Sequence, residues 1–295
     1  MEKLKGAIAV GLLKTLALLP WGGVQAVGSL VGWLMWKLPT RSRDVTRINL
    51  SHCFPELPAE QLTQLQGRAL RGIGKTFVES ACAWIWPASK SIDKVHQVEG
   101  LEVLEQALAS GKGVVGITSH LGNWEVLNHF YCNTCKPIIF YRPPKIQAVD
   151  ELLQKQRVQL GNRVAPSTRE GILSVIKEVR RGGAVGIPAD PEPSLNSGVF
   201  VPFLGTQALT SKFVPGMLAG HKAVGVFLHA VRLPDDSGFK VIIEAAPEGM
   251  YDENTEVAVA AMSAKIADYV RQYPDQYMWS MKRFKKRPEG EKRWY

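Results

Sequence analysis

The stretch GVVGITSHLGNWEV, residues 113–126, changes character at its middle. Gly113 to Thr118 is short and almost wholly apolar, as a strand covered on both faces must be, whereas a helix is expected to begin near Asn123. Gly122 supplies the conformational freedom for a tight turn between them. Strand, turn and helix in that order form the repeating unit of an α/β fold, and they place His120 at the carboxyl end of a strand, where open α/β sheets bind their ligands.

Working outward, Pro137 to Tyr141 (PIIFY) and Ala184 to Pro188 (AVGIP) repeat the buried-strand pattern. Between them, Thr168 to Arg181 reads as a helix that stops at Gly182-Gly183. Upstream, Leu62, Leu65, Ala69, Ile73, Phe77, Ala81 and Trp84 recur at three and four residues, which predicts one long amphipathic helix over residues 58–86. Downstream, Ala223 to Arg232 and Phe239 to Glu244 read as strands joined in a hairpin around residues 234–238. A last helix spans Asn254 to Tyr273 with Asn254 as its N-cap. The expected fold class is α/β, a mixed central sheet flanked by helices on both faces.

A chain of 295 residues with 45% hydrophobic content can bury a large core. From Pro55 onward no low-complexity tract, flexible linker or repeat marks a boundary, so residues 41–295 read as a single α/β domain behind a distinct N-terminal segment, residues 1–40. Lys and Arg outnumber Asp and Glu 36 to 27, a net charge of +9 that favours an anionic partner. No nucleic-acid-binding motif accompanies the charge, which points away from nucleic acid. Cys53, Cys82, Cys132 and Cys135 make no disulfide framework and fit a reducing compartment.

The segment Thr15 to Trp36 (TLALLPWGGVQAVGSLVGWLMW) carries no charge and approaches the roughly twenty residues that cross a hydrocarbon core. Lys3, Lys5 and Lys14 precede it; Lys37, Arg41, Arg43 and Arg47 follow, with Trp21, Trp33 and Trp36 where interfacial aromatics belong. The heavier basic cluster puts the main body on the cytoplasmic side of a membrane. Pro20-Trp21-Gly22-Gly23 would break one straight helix, so the segment either spans or forms two short helices in the interface or packed on the body. A cleaved signal peptide is disfavoured, because the apolar run is long and no cleavage site precedes the basic cluster.

Two motifs lead nowhere. Gly111-Lys112-Gly113-Val114-Val115-Gly116 matches the dinucleotide fingerprint only formally, because it opens a strand rather than a helix. His120, His129, Cys132 and Cys135 could be written as zinc ligands, but one C-x-x-C without a second knuckle is better read as ordinary thiols. No metal and no cofactor is called for.

His120 and Glu125 remain. A carboxylate in the first helical turn can return toward the imidazole, fix its tautomer and stabilise the imidazolium. Equally, His120 could simply end the strand, with Glu125 favoured there by the helix dipole. In the first reading the pair has no nucleophile of its own, so it would activate an external hydroxyl for acyl transfer in one displacement, without a covalent acyl-enzyme.

The H-x-G-N-W-E core resembles the late acyltransferases of lipid A biosynthesis, the lauroyl and myristoyl transferases of the lysophospholipid acyltransferase-type superfamily. The resemblance extends to the apolar N-terminus, Tyr141-Arg142-Pro143, Thr168-Arg169-Glu170-Gly171, VFVPFLG at residues 199–205 and PDQYMWSMKRFKKRP at residues 274–288. It implies a glycerol-phosphate acyltransferase-like fold, an acyl carrier protein thioester as donor and a lipid A precursor of the Kdo-lipid IVA type as acceptor. It also implies a location at the bacterial inner membrane, with the catalytic domain on the cytoplasmic face. His120 would be the base and Glu125 its orienting carboxylate. Asn123, Arg142, Arg169 and Asp190 would bind substrate, the arginines through phosphate, carboxylate or oxyanion contacts. Where the family commonly shows Asp-Gln-Asp, this chain has Asp190-Pro191-Glu192, so only Asp190 carries over.

The basic tail, Lys282, Arg283, Lys285, Lys286 and Arg287, reads either as solvated surface or as a contact for anionic headgroups or the acidic carrier protein. Two rival readings stay open: the same chemistry on another glycolipid or a lysophospholipid, and a catalytically silent membrane scaffold. Nothing in the chain demands more than a monomer.

Overall fold

The computed structural model describes residues 2–141, 143–144, 146–159 and 163–295. Four helices open the chain: α1 (Glu2–Ala17), α2 (Trp21–Lys37), α3 (Arg41–Cys53) and α4 (Ala59–Ile85). After a short α5 (Ala88–Ile92), strands and helices alternate. They are β1 (Val95–Glu99), α6 (Leu101–Ala109), β2 (Gly113–Thr118), α7 (Trp124–Cys135), β3 (Ile138–Tyr141), α8 (Gln147–Gln159), β4 (Arg163–Pro166), α9 (Arg169–Arg180) and β5 (Ala184–Pro188). A hairpin of β6 (Gly198–Phe203) and β7 (Thr206–Ser211), then α10 (Phe213–Leu218), leads to a second hairpin, β8 (Ala223–Arg232) and β9 (Phe239–Ala245), and to α11 (Thr255–Gln272).

Seven strands form one sheet in the order β1-β9-β8-β2-β5-β3-β4. Every neighbouring pair is parallel except the β8–β9 hairpin. β2, the strand that leads into SHLGNWEV, is central, and alternate side chains enter opposite cores. Val115 and Ile117 join Val175 of α9 and Met262 and Ile266 of α11, whereas Val114 joins Leu104 of α6 and Leu127 and Tyr131 of α7. Burial on both faces is what the unbroken apolar run required. β1, β4 and the separate β6–β7 hairpin were not among the expected strands.

The apolar N-terminal run is divided. Pro20 sits at the N-cap of α2 with extended backbone, so the chain turns between Ala17 and Trp21 rather than continuing as one helix. Among the described residues no helix is long and apolar enough to cross a membrane. The inner face of α2, with Val24, Gln25, Gly28 and Gly32 buried, lies along α4. The approach is close because both helices are bare at the crossing: a Cβ on Gly32 would sit 2.3 Å from the Leu70 carbonyl oxygen, and one on Gly74 2.3 Å from that of Gly28. Gly32→Leu is therefore expected to push α2 off α4 and to cost about 1–3 kcal/mol of stability, measured as a lower Tm by calorimetry.

Candidate active site

β2 ends at Thr118, and the chain crosses the carboxyl edge of the sheet through Ser119, His120 and Leu121 before α7 begins. Gly122 makes the turn with φ of 67°, and a Cβ there would meet the Ala230 carbonyl oxygen at 2.0 Å, so only glycine fits. Its amide donates to Gln276 O at 3.0 Å, and the His120 carbonyl accepts from the Met278 amide at 2.9 Å. The C-terminal segment is thereby laced along the motif, with Leu121 and Tyr277 in an antiparallel bridge.

Asn123 was expected at the substrate; the structure instead encloses it completely. Its Oδ1 caps α7 by accepting from the amides of Glu125 at 3.0 Å and Val126 at 3.1 Å. Its Nδ2 donates to Glu79 Oε2 at 3.0 Å. Glu79 also accepts from Gln25 of α2 at 2.7 Å and is held by both Nε and Nη2 of Arg232, at 2.6 and 2.7 Å. Burial opposes the Glu79 charge, but the Arg232 guanidinium and these hydrogen bonds hold its carboxyl below the usual range. An ion pair with its hydrogen bonds thus anchors the helix that carries Glu125. The sequence cue for it is an acid inside the apolar stretch TFVESACAW of α4.

The carboxylate that meets His120 Nδ1 is Asp190, not Glu125. Asp190 Oδ1 lies 3.0 Å from Nδ1, and its Oδ2 accepts from the His120 amide and from the Tyr277 hydroxyl, each at 3.0 Å. The reason is register: Thr118 of β2 pairs with Pro188 of β5, so the residues two beyond each strand end stand side by side. Asp190 was expected at the substrate as well, but at 1% exposure it stands behind the imidazole rather than in the cleft. Burial alone would depress the His120 pKa; the Asp190 charge and hydrogen bond more than offset this and hold it above its ordinary 6.5. Burial likewise disfavours the Asp190 charge, yet His120 and then Arg283 keep its carboxyl below the ordinary range. An ionised Asp190 accepts the hydrogen bond from Nδ1–H and so leaves Nε2 with the free lone pair.

The His120 side chain is 25% exposed and lines a cavity of 690 Å3, with the Trp124 ring set edge-on at 5.2 Å. Glu125 lines the same cavity from the first turn of α7. Gly116 and Gly186, paired in register, make room at its floor for the Tyr131 ring and the Ile139 side chain, which a Cβ would meet at 2.8 and 2.6 Å. Ser119, also in the wall, is hydrogen-bonded to His229 Nε2 at 2.9 Å. Burial pushes His229 down to about 3, so that imidazole stays neutral.

Arg169 is exposed at the start of α9, two residues beyond Ser167 of the cavity wall. Arg142 lies outside the described residues. Glu192, one of the two positions that depart from the Asp-Gln-Asp pattern, accepts from the Lys286 amide at 2.6 Å and ties down the tail. That tail is less of a surface than its charge suggested: Arg283 is buried, donating to Leu209 O and Thr210 Oγ1, each at 2.7 Å. Arg287 donates to Gln207 O at 2.6 Å. Among the described residues no three or more His, Cys, Asp or Glu side chains converge on a metal position. The Cys132 and Cys135 thiols donate instead to Asn128 Oδ1 and Tyr131 O.

The family model described as bacterial lipid A biosynthesis acyltransferase matches residues 3–286. The lipid A biosynthesis palmitoleoyltransferase of Escherichia coli (strain K12) is 28% identical over 290 residues, covering 97% of this chain and 92% of that protein. The lipid A biosynthesis lauroyltransferase of the same organism is 25% identical over 284 residues, covering 96% and 92%. A lipid A biosynthesis acyltransferase of Haemophilus influenzae is 28% identical over 291 residues, covering 96% and 90%.

Proposed function

This chain belongs to the bacterial lipid A biosynthesis acyltransferase family and is an acyltransferase; from that premise we propose that it transfers a fatty acyl group from an acyl carrier protein thioester to a hydroxyl of a Kdo-lipid IVA-type lipid A precursor. The observation that carries the mechanism is the contact between His120 Nδ1 and the buried Asp190 carboxylate at the edge of an open cavity. His120 Nε2 takes the proton of the acceptor hydroxyl as its oxygen attacks the thioester carbonyl carbon. The tetrahedral intermediate then expels the carrier thiolate, which leaves with the proton held by the imidazolium. No acyl-enzyme forms, and no cofactor takes part.

Asp190 orients the imidazole from behind and holds its charged form, and Glu125 adds a second carboxylate from the cavity wall. The side chains that enclose the cavity, Leu127, Tyr131, Ile139, Phe140, Leu153 and Phe213 among them, are largely apolar and suit an acyl chain. Arg142 and Arg169 serve as phosphate contacts for the acceptor. The protein works as a monomer on the cytoplasmic face of the inner membrane. In support of that location, α1 turns Leu4, Ile8 and Leu12 outward at helical spacing, and α2 does the same with Leu30, Trp33 and Leu34.

The test is an assay with purified protein, acyl carrier protein thioesters and the precursor, with the product weighed by mass spectrometry. One added acyl group is the expected result; acyl transfer only to a lysophospholipid would refute the acceptor. Glu125→Gln is expected to lower kcat by roughly tenfold to a hundredfold, the range over which a neighbouring opposite charge favours an ionised partner. An unchanged kcat would remove Glu125 from the mechanism.

A further inference from the structure

A second cavity, of 580 Å3, shares no lining residue, among the described residues, with the one that holds His120. It opens between α4, the β8–β9 hairpin and the segment that follows α11. Among the described residues five cationic side chains line it, Arg68, Arg71, Lys75, Arg232 and Lys240, against two carboxylates, Asp236 and Asp275. Three of the cations are already matched: Lys75 pairs with Asp236 at 2.5 Å, Arg232 with Glu79 at 2.6 Å and Lys240 with Glu99 at 3.1 Å. Arg68 and Arg71 have no carboxylate partner among the described residues. They stand one turn apart on α4 and so project from the same side of the helix.

The surroundings of this cavity narrow the kind of anion. α2 packs behind two of its lining residues: Trp21 Nε1 donates to Asp236 O at 2.6 Å, and Gly32 rests on the Arg71 backbone. The face of α2 turned away from α4 exposes Leu30 at 55%, Trp33 at 40% and Leu34 at 40%. Two guanidiniums without a carboxylate partner, Arg68 exposed and Arg71 half-buried with its guanidinium over the Trp36 ring of α2, stand beside an outward apolar helix and suit an anion that arrives attached to hydrocarbon. Paired guanidiniums present the planar donor fork that phosphate oxygens accept, and a concavity of this size takes one headgroup rather than the convex face of an acidic protein.

We propose that this cavity binds the phosphate of an anionic phospholipid headgroup, with Arg68 and Arg71 as its ligands, when α1 and α2 rest on a bilayer. The proposal rests on the membrane location given above but not on the acyl transfer. The site would fix the orientation of the domain on its membrane, a separate task from recognition of the acceptor.

The full chain is tested for partitioning to phosphatidylcholine vesicles with and without phosphatidylglycerol. Arg68→Gln/Arg71→Gln is expected to bind the phosphatidylglycerol vesicles about thirtyfold more weakly, as for two basic residues lost from a membrane surface. It should keep its binding to pure phosphatidylcholine and its Tm. Lys177→Gln/Arg180→Gln, which removes two exposed charges from α9, is expected to partition as the wild type does. Equal losses in the two variants would mean diffuse attraction and would overturn the site, as would no loss in the first. Calorimetry with inorganic phosphate separates the two sources of the anion: saturable micromolar binding that the first variant abolishes would mean a free-phosphate site and sink the lipid assignment. Acyl transfer to detergent-dispersed precursor should keep its kcat and both KM values in the first variant. A raised KM for the precursor or for the carrier protein, with vesicle binding intact, would reassign the cavity to that substrate. Should the wild type transfer no acyl group at all, the proposed function falls while the vesicle comparison still decides this site.

Discussion

His120→Ala is expected to lower kcat for acyl transfer by about 100- to 10,000-fold, the span that a positioned general base contributes, while the domain stays folded. The fold should survive because the imidazole is partly exposed and the groups that anchor the loop are backbone. Asp190 Oδ2 still accepts from the amide of residue 120 and from Tyr277, and the Met278 amide still bonds the carbonyl of residue 120. Asp190 Oδ1 loses its partner, but the vacated volume opens onto the cavity and admits water. The comparison therefore needs two readouts, turnover with the lipid A precursor and Tm. Wild-type turnover in a folded variant would rule out His120 as the base.

Asp190→Asn should be nearly as damaging, and it carries a pH signature that a merely structural role would not produce. The base works only unprotonated, so the wild-type kcat/KM should fall on the acid side as pH drops through a His120 pKa lying above the ordinary 6.5. Asp190 is what raises that pKa against burial. Once its charge is gone, burial prevails and the acid limb moves to lower pH. The rate falls nevertheless, by about 100- to 10,000-fold. The carboxamide can present its NH2 to Nδ1, which moves the imidazole hydrogen to Nε2 and occupies the position that must accept the proton. A depressed rate with an unmoved limb would mean that Asp190 supports the loop without tuning the base. If Glu125→Gln moved the limb and Asp190→Asn did not, the orienting carboxylate would be Glu125 after all.

The sequence made the interior strands legible, because each is an unbroken apolar run, and such a run needs a sheet covered on both faces whatever its neighbours are. β2, β3 and β5 stand within a residue of their expected bounds, as do α4, α9 and α11, whose caps and apolar spacing are local. β1 was not legible for the converse reason: in Val-His-Gln-Val-Glu, four of five residues remain exposed at the sheet's edge, so no buried face patterns them. The β6–β7 hairpin was hidden by Pro202 within β6 and by a turn through Leu204 and Gly205, both at positive φ, where leucine gives no turn signal.

The site divides along the same line. The fold class, the position of His120 at a strand's carboxyl end and the break at Pro20 followed from the sequence alone, because each depends on residues within one turn or one strand of each other. The partner of His120 did not. Glu125, five residues away, was the natural choice by spacing, but Asp190, seventy positions on, is the neighbour that the β2–β5 register delivers. Ser119 and His229 meet through the corresponding β2–β8 register, and the charge of Glu79 is matched across 153 positions by Arg232. Adjacency across a parallel sheet is set by which strands pair and in what register. Those are properties of the packed whole, and no local spacing encodes them.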